Sequence, residues 1–343
     1  MSDNGQAGAG AAVLTKADFQ SSQETRWCPG CGDYAILASV QALMPELGIP
    51  PEKTVFISGI GCAGRFVYYM DTYGMHGIHG RAPALATGIA TSRDDLSVWV
   101  VSGDGDSLSI GGNHLIHALR RNVPIKLLLF NNQIYGLTKG QYSPTSETGK
   151  ITKSTPFGSE DHPFNPLALA LGADASFVAR TIDIEKKHVA EVLRTAAEHP
   201  GSAFVEIYQN CNVFNDGAFN AVRGKAGAHN QIRLQHGKPI RFGAEGERGV
   251  VRSDDGGLAV VDVADVGEDA LVVHDANVED PSHATALARL ADSPTGPTPI
   301  GVFRDVKRAV YGSGRQRELR SAHANATLAD VDELLRSGDT WVV

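Results

Sequence analysis

One stretch, residues 102–138 (SGDGDSLSIGGNHLIHALRRNVPIKLLLFNNQIYGLT), limits the folds open to this chain more than any other. It opens at the end of an apolar run, 96–102, that suits a buried parallel strand. Gly-Asp-Gly-Asp follows, and its glycines let a ligand approach the backbone closely. Apolar residues then recur at helical spacing through Leu108, Leu115 and Leu119, which predicts a helix over 108–121. A second apolar strand, 125–130, ends in Asn131-Asn132. The stretch reads as strand, turn, helix and strand, with Asp104 and Asn132 at the carboxyl ends of neighbouring strands. Ligands of open α/β sheets bind at that edge. The predicted fold class is α/β, a doubly wound, mostly parallel sheet.

Mg²⁺ takes oxygen ligands, few of them from protein and the rest from phosphate and water. Asp104 offers a carboxylate, Asn132 an amide oxygen and Ile134 a backbone carbonyl. A diphosphate would lie over Gly103, Gly105 and Asp106, near the amino end of the next helix, where free N–H groups and the dipole favour anions. Either motif alone reads as a surface turn. Together, each behind a buried strand, they read as a metal and diphosphate site. The pairing of GDG with NN resembles the thiamine diphosphate motif of the thiamine enzyme superfamily.

The formal net charge of −8 and pI near 5.8 argue against nucleic acid or an anionic membrane as the main partner. No apolar run approaches the length needed to span a bilayer, and the first residues lack the basic start and apolar core of a secretory signal. The expected location is cytoplasmic. Residues 1–22 read as a mobile tail rich in small residues.

The chain has four cysteines. Cys28 and Cys31 form a CxxC motif ahead of a helical pattern, Cys62 follows the strand TVFIS, and Cys211 follows the strand AFVEIY. A reducing compartment disfavours disulfides. If the strands are parallel, the sulfurs converge near GDGD and NN as a four-thiolate site. Structural zinc, a [4Fe–4S] cluster and unligated buried thiols all remain open on this reading. The glycine-rich flanks CPGCG and GIGCAG favour the cluster, since backbone N–H groups can face its sulfides.

Taken together, CPGCG, GIGC, HGRA, GDGD, NNQIYGLTKGQYSPT and the late lone cysteine resemble the β subunit of 2-oxoacid:ferredoxin oxidoreductases, most of all those of the 2-oxoglutarate type. The resemblance covers residues 26–216. It implies the diphosphate-binding (PP-type) thiamine domain, with Mg²⁺ on Asp104, Asn132 and the Ile134 carbonyl, and a [4Fe–4S] cluster on Cys28, Cys31, Cys62 and Cys211. It implies oxidative decarboxylation of a 2-oxoacid with coenzyme A, electrons passing through the cluster to ferredoxin. Arg65 and Lys139 stand where the family places basic residues near the substrate, and are expected to meet the distal carboxylate of a dicarboxylic oxoacid such as 2-oxoglutarate. His79, beside Gly80 at a helix start, is expected in the cofactor pocket. His76 reads equally as a solvated loop residue, and His114 and His117 as helix-face residues.

Residues 23–216 form the expected cofactor domain, and 217–343 a C-terminal extension, an arm or a small α+β unit facing a partner. Within it 258–264 and 270–276 read as strands. Thiamine enzymes also need a domain that presents a glutamate to the aminopyrimidine, and this chain offers no second unit of similar size. The resemblance supplies it as an α subunit in an (αβ)₂ heterotetramer, so the chain alone is expected to be nearly inactive. Two other readings compete: a non-redox thiamine lyase or decarboxylase subunit with structural zinc, and a non-catalytic scaffold subunit that binds a nucleotide diphosphate.

Overall fold

The runs TVFIS, VWVVS, KLLLFN, FVARTI and AFVEIY are buried at every position. Strands covered on both faces carry mostly apolar runs, and the charged pair among them, Arg180 on FVARTI and Glu206 on AFVEIY, is buried as an ion pair at 2.6 Å. They form β1 (Thr54–Ser58), β3 (Ser97–Gly103), β4 (Lys126–Asn131), β5 (Phe177–Ile182) and β6 (Ala203–Tyr208), and β2 (Tyr73–His76) is an exposed edge. The computed structural model describes residues 13–254, 256–290 and 296–325, with 333, 335–339 and 341. Later strands are β7 (Gln231–Arg233), β8 (Arg241–Phe242), β9 (Arg248–Arg252), β10 (Leu258–Asp262) and β11 (Thr298–Asp305).

The main sheet has eight strands in the order β2-β1-β3-β4-β6-β5-β11-β7. All neighbours are parallel except β11 against β5. Alternation of side chains sorts its residues between two cores. Leu127 and Leu129 of β4 face helices α2 (Ala82–Ser92), α4 (Gly112–Arg120) and α5 (Pro166–Gly172). Leu128 and Phe130 face α1 (Asp33–Leu43) and α6 (Lys186–Glu198). Helices on both faces leave the carboxyl edge of the sheet as the open crevice. The register pairs Gly103 with Phe130 and Asn131 with Tyr208, so three loops leave the sheet side by side.

Three expectations change. The helix expected over 108–121 is two: α3 (Asp104–Leu108) starts directly after β3, and α4 resumes at Gly112. The break lets another loop in, for a Cβ on Gly80 would lie 2.5 Å from the Gly111 nitrogen. Of the expected mobile tail, residues 1–12 lie outside the described residues. Residues 13–22 dock, because Phe19 is wholly buried among the α1-side core residues. The strand expected over 270–276 is an isolated bridge of Val273 to Pro239, since His274 turns inward to bond the Val302 carbonyl.

After Asp216 the chain adds β7 and β11 to the main sheet and builds a three-stranded antiparallel sheet from β8, β9 and β10. No described helix is long and apolar enough to cross a membrane.

Candidate active site

Two adjoining cavities open at the carboxyl edge, of about 180 Å³ and about 190 Å³. Asp104, Asn132, Ile134 and His79 line the first, and all four cysteines line the second. Cys62, Asn132, Gly136 and Leu137 belong to both walls.

The first cavity forms where β3 and β4 end. Asp104 is 2 % exposed, and its Oδ2 accepts hydrogen bonds from Ser143 Oγ at 2.5 Å and Thr145 Oγ1 at 2.6 Å. Burial raises its pKa above the ordinary carboxylate value, and the two hydroxyls oppose that rise. A carboxyl so placed favours a cation opposite it. The Asn132 amide is fixed at both ends: Oδ1 accepts from Ile134 N–H at 3.1 Å and Nδ2 donates to Gln209 Oε1 at 2.8 Å. An oxygen donor set of this kind on one small cavity fits Mg²⁺ beside a phosphate. Gly105 is obligatory for steric reasons, because a Cβ there would lie 2.2 Å from a Tyr135 ring carbon. The Tyr135 hydroxyl donates to the Gly105 carbonyl at 2.9 Å.

Asp106 is expected as a cofactor contact. It borders the first cavity, but its carboxylate is taken up by the protein. Oδ1 accepts from Ile60 N–H at 3.0 Å and Gly80 N–H at 2.7 Å and lies 2.8 Å from His79 Nδ1, while Oδ2 accepts from Ser102 Oγ at 2.5 Å. It holds His79 in place at the cavity wall. His76 Nδ1 lies 3.0 Å from Ser58 Oγ and 2.9 Å from the Gly64 carbonyl. His114 pairs with Arg81 on the face of α4.

The second cavity gathers three loops that are far apart in sequence. Cys31 N–H closes the CxxC turn on the Cys28 carbonyl at 3.1 Å, with Gly30 in the left-handed region at φ 83°. Gly32 N–H donates to the Asn210 carbonyl at 3.1 Å and the Trp27 indole to the Cys62 carbonyl at 2.8 Å, tying this turn to the other two cysteine loops. A Cβ on Gly136 would lie 3.5 Å from Cys62 Sγ and 3.6 Å from Cys211 Sγ, so both sulfurs flank that glycine. Cys28 is exposed and the other three are half-buried.

Burial, and then the Asp33 carboxyl, push the Cys62 thiol up to about 12 and raise Cys31 in the same direction. Such sulfurs do not serve as free thiolate nucleophiles. A coordinated metal deprotonates a thiol outright, which makes ligation the chemistry the site suits. Among the described residues no three His, Cys, Asp or Glu side chains close on a single ion. The sulfurs instead surround a cavity, and four thiolates around such a space fit a multi-iron cluster.

Arg65 and Lys139 both line the cysteine cavity. Arg65 Nε donates to the Tyr69 hydroxyl at 3.3 Å, and Lys139 is exposed with φ 76°. A non-glycine residue held in that region marks a constrained loop. The sequence reading brought the Asp104–Asn132–Ile134 set and the four cysteines together, as the structure does. It missed Ser143 and Thr145, which stand in the SPT stretch, Tyr135, and Gln209 two residues before Cys211. Their only signal was position within the motifs.

Comparison with known proteins accords with this geometry. Residues 59–207 match the family model for the thiamine pyrophosphate enzyme, C-terminal TPP binding domain. The chain is 57 % identical over 328 residues to the 2-oxoglutarate oxidoreductase subunit KorB of Mycobacterium tuberculosis, covering 95 % of this chain and 88 % of that protein. It is 42 % identical over 200 residues to the β subunit of 2-oxoacid:ferredoxin oxidoreductase 1 of Aeropyrum pernix, covering 58 % of this chain and 63 % of that one. Among solved structures, the 2-oxoglutarate:ferredoxin oxidoreductase from Magnetococcus marinus, with 2-oxoglutarate, coenzyme A and succinyl-CoA bound, aligns with a TM-score of 0.74. The identity is 33 %, covering 96 % of this chain and 97 % of that chain.

Proposed function

The chain belongs to the β subunits of 2-oxoacid:ferredoxin oxidoreductases, and from that premise we propose that it is the thiamine diphosphate-binding subunit of an enzyme that converts 2-oxoglutarate and coenzyme A to succinyl-CoA and CO₂, with electrons leaving to ferredoxin. One observation carries the redox reading: cysteines from three separate stretches line a cavity that shares a wall with the Asp104–Asn132 cavity. A thiamine lyase without electron transfer has no use for that arrangement.

When bound, thiamine diphosphate supplies the electron sink for loss of CO₂, Mg²⁺ ties down its diphosphate, and a [4Fe–4S] cluster accepts single electrons. The residues of this chain bind and orient. Asp104, Asn132 and the Ile134 carbonyl would hold Mg²⁺. Gly103 and Gly105 give the diphosphate close access to the backbone at the start of α3. His79, anchored by Asp106, presents its ring to the same cavity. Cys28, Cys31, Cys62 and Cys211 would hold the cluster. Arg65 and Lys139 offer their cations to the distal carboxylate of the substrate, a contact that monocarboxylic oxoacids lack.

An α subunit in an (αβ)₂ heterotetramer completes the site, and the assembly works in the cytoplasm with no membrane or nucleic acid partner. The test is anaerobic co-expression with the α subunit, iron and sulfide analysis, and turnover of an oxoacid panel with coenzyme A and ferredoxin. Fastest turnover of 2-oxoglutarate by a brown protein is expected. A colourless zinc protein without ferredoxin reduction would overturn the redox reading, and robust turnover by the isolated chain would overturn the need for a partner.

A further inference from the structure

Gln209 lines the cysteine cavity, bonds Asn132, which belongs to both cavity walls, and uses every polar atom of its side chain. Its Nε2 donates to the Asn210 carbonyl at 2.6 Å and to Cys31 Sγ at 3.3 Å, and its Oε1 accepts from Asn132 Nδ2 at 2.8 Å. A backbone carbonyl only accepts, so the Asn210 contact fixes which end of the amide is nitrogen. The N–H therefore faces the sulfur and the oxygen faces Asn132. The side chain is 1 % exposed, and its own N–H continues the ladder between β4 and β6 by donating to the Asn131 carbonyl at 2.9 Å. Its position is set by the sheet rather than by a loop.

Resting on the cofactor sites proposed above, the geometry points to Gln209 as a positioning residue that couples them: one amide holds the Mg²⁺ ligand Asn132 in orientation and donates an N–H···S hydrogen bond to the cluster ligand Cys31. Hydrogen bonds to cluster sulfurs set reduction potential, because they stabilise the more negative, reduced state. Groups that orient a metal ligand from behind govern its affinity. One buried side chain thus sets the electron affinity of one site and the grip of the other.

A second link provides a control. Asn215 Nδ2 donates to the Asn132 carbonyl at 2.9 Å, and Asn215 N–H to the Cys211 carbonyl at 2.9 Å. It joins the metal loop to the Cys211 loop without approaching a sulfur with its own N–H. A purely mechanical role for Gln209 would be matched by Asn215.

The test uses the anaerobic holoenzyme with its α subunit. Potentiometric titration followed by electron paramagnetic resonance gives the cluster midpoint, and calorimetry gives thiamine diphosphate affinity in Mg²⁺. Gln209→Met keeps length and removes both polar ends. A midpoint more negative by the equivalent of about tenfold in the reduced-to-oxidised ratio, about 59 mV for one electron, is expected. Affinity for thiamine diphosphate is expected to fall about tenfold or more. Gln209→Glu keeps the acceptor facing Asn132 and loses the donor facing Cys31, so it should lower the midpoint while largely retaining affinity, and it serves if the Met variant does not fold. Asn215→Ala should weaken the cofactor and leave the midpoint in place. An unchanged midpoint in both Gln209 variants, or an equal shift in Asn215→Ala, overturns the coupling while the cluster assignment stands. A wild-type holoenzyme without iron overturns both.

Discussion

Thr145→Val is the cleanest probe of the cation site. Valine matches threonine in shape and removes only the hydroxyl, which lies 2.6 Å from Asp104 Oδ2 and, less closely, 3.0 Å from Asn131 Oδ1. Asp104 is buried, and its burial already favours the uncharged form. Removing the donor raises the cost of the carboxylate that Mg²⁺ needs and frees its orientation. A hydrogen bond to a charged group contributes about 1.5–3 kcal/mol, and about 1.4 kcal/mol is tenfold in an equilibrium. The expected loss in Mg²⁺ affinity is therefore about 10- to 100-fold, the range found for groups behind a metal ligand. Mg²⁺ titrations of thiamine diphosphate binding to the holoenzyme, with circular dichroism to confirm folding, measure it. Ser143→Ala, which removes the 2.5 Å bond to the same oxygen, should act in the same direction. A folded Thr145→Val protein with wild-type Mg²⁺ dependence would show that the Asp104 hydrogen bonds do not prepare a cation site.

Cys62→Ser should abolish most of the iron and sulfide in anaerobic protein while thiamine diphosphate still binds; retention of full iron would remove Cys62 from the ligand set. Gly105→Ala drives a Cβ into the Tyr135 ring, and overpacking of this kind costs about 1–3 kcal/mol, to be read as a lower melting temperature and weaker cofactor binding. Burial lowers the His274 pKa from 6.5 to about 4, where it bonds the Val302 carbonyl and lies 3.4 Å from His283. The folded state favours neutral His274, so folding there releases a proton, and stability is lost as pH falls from about 6.5 towards 4. The loss approaches about 3 kcal/mol below that window. His274→Gln should flatten this part of the pH profile in urea unfolding at fixed concentration, and an unaltered profile would refute the linkage.

The elements that position the site were legible because their signals are local. TVFIS and AFVEIY form β1 and β6 at the expected residues, since short, mostly apolar runs followed by Gly59 and by Gln209-Asn210 leave little choice. Asp104, Asn132, Cys62 and Cys211 were legible because residues at the carboxyl ends of parallel strands must come together, and Cys28 and Cys31 because of their CxxC spacing. The break between α3 and α4 was not, because its cause is the Gly80 loop, more than a helix away in the chain. The docking of Phe19, and the return of β11 to the edge of β5, are likewise tertiary: each element is locally ambiguous and is fixed by a surface built elsewhere. Ser143, Thr145 and Gln209 escaped because hydroxyl and amide side chains look alike in sequence whether they brace a buried polar group or meet solvent.

The two acids of GDGD divide the work. Asp104 lines the first cavity, while Asp106, two residues on, turns back to the loop after β1 and the loop before α2. The approach is tight: a Cβ on Gly59 would lie 1.8 Å from Asp106 Oδ2. Ile60 N–H, Gly80 N–H, His79 and Ser102 all converge on this one carboxylate. The loop it grips carries Cys62, which belongs to both cavities. Asp106→Ala leaves four polar groups without that acceptor, at about 1–3 kcal/mol for each that is buried and unsatisfied. The loop should then lose its place, and iron content and thiamine diphosphate affinity should fall together, where Cys62→Ser lowers iron alone. Asp106→Asn keeps one acceptor oxygen for the two N–H groups and should give an intermediate loss of both. If the Asn variant loses cofactor while holding its full complement of iron, the carboxylate serves the ligand directly and the loop does not depend on it.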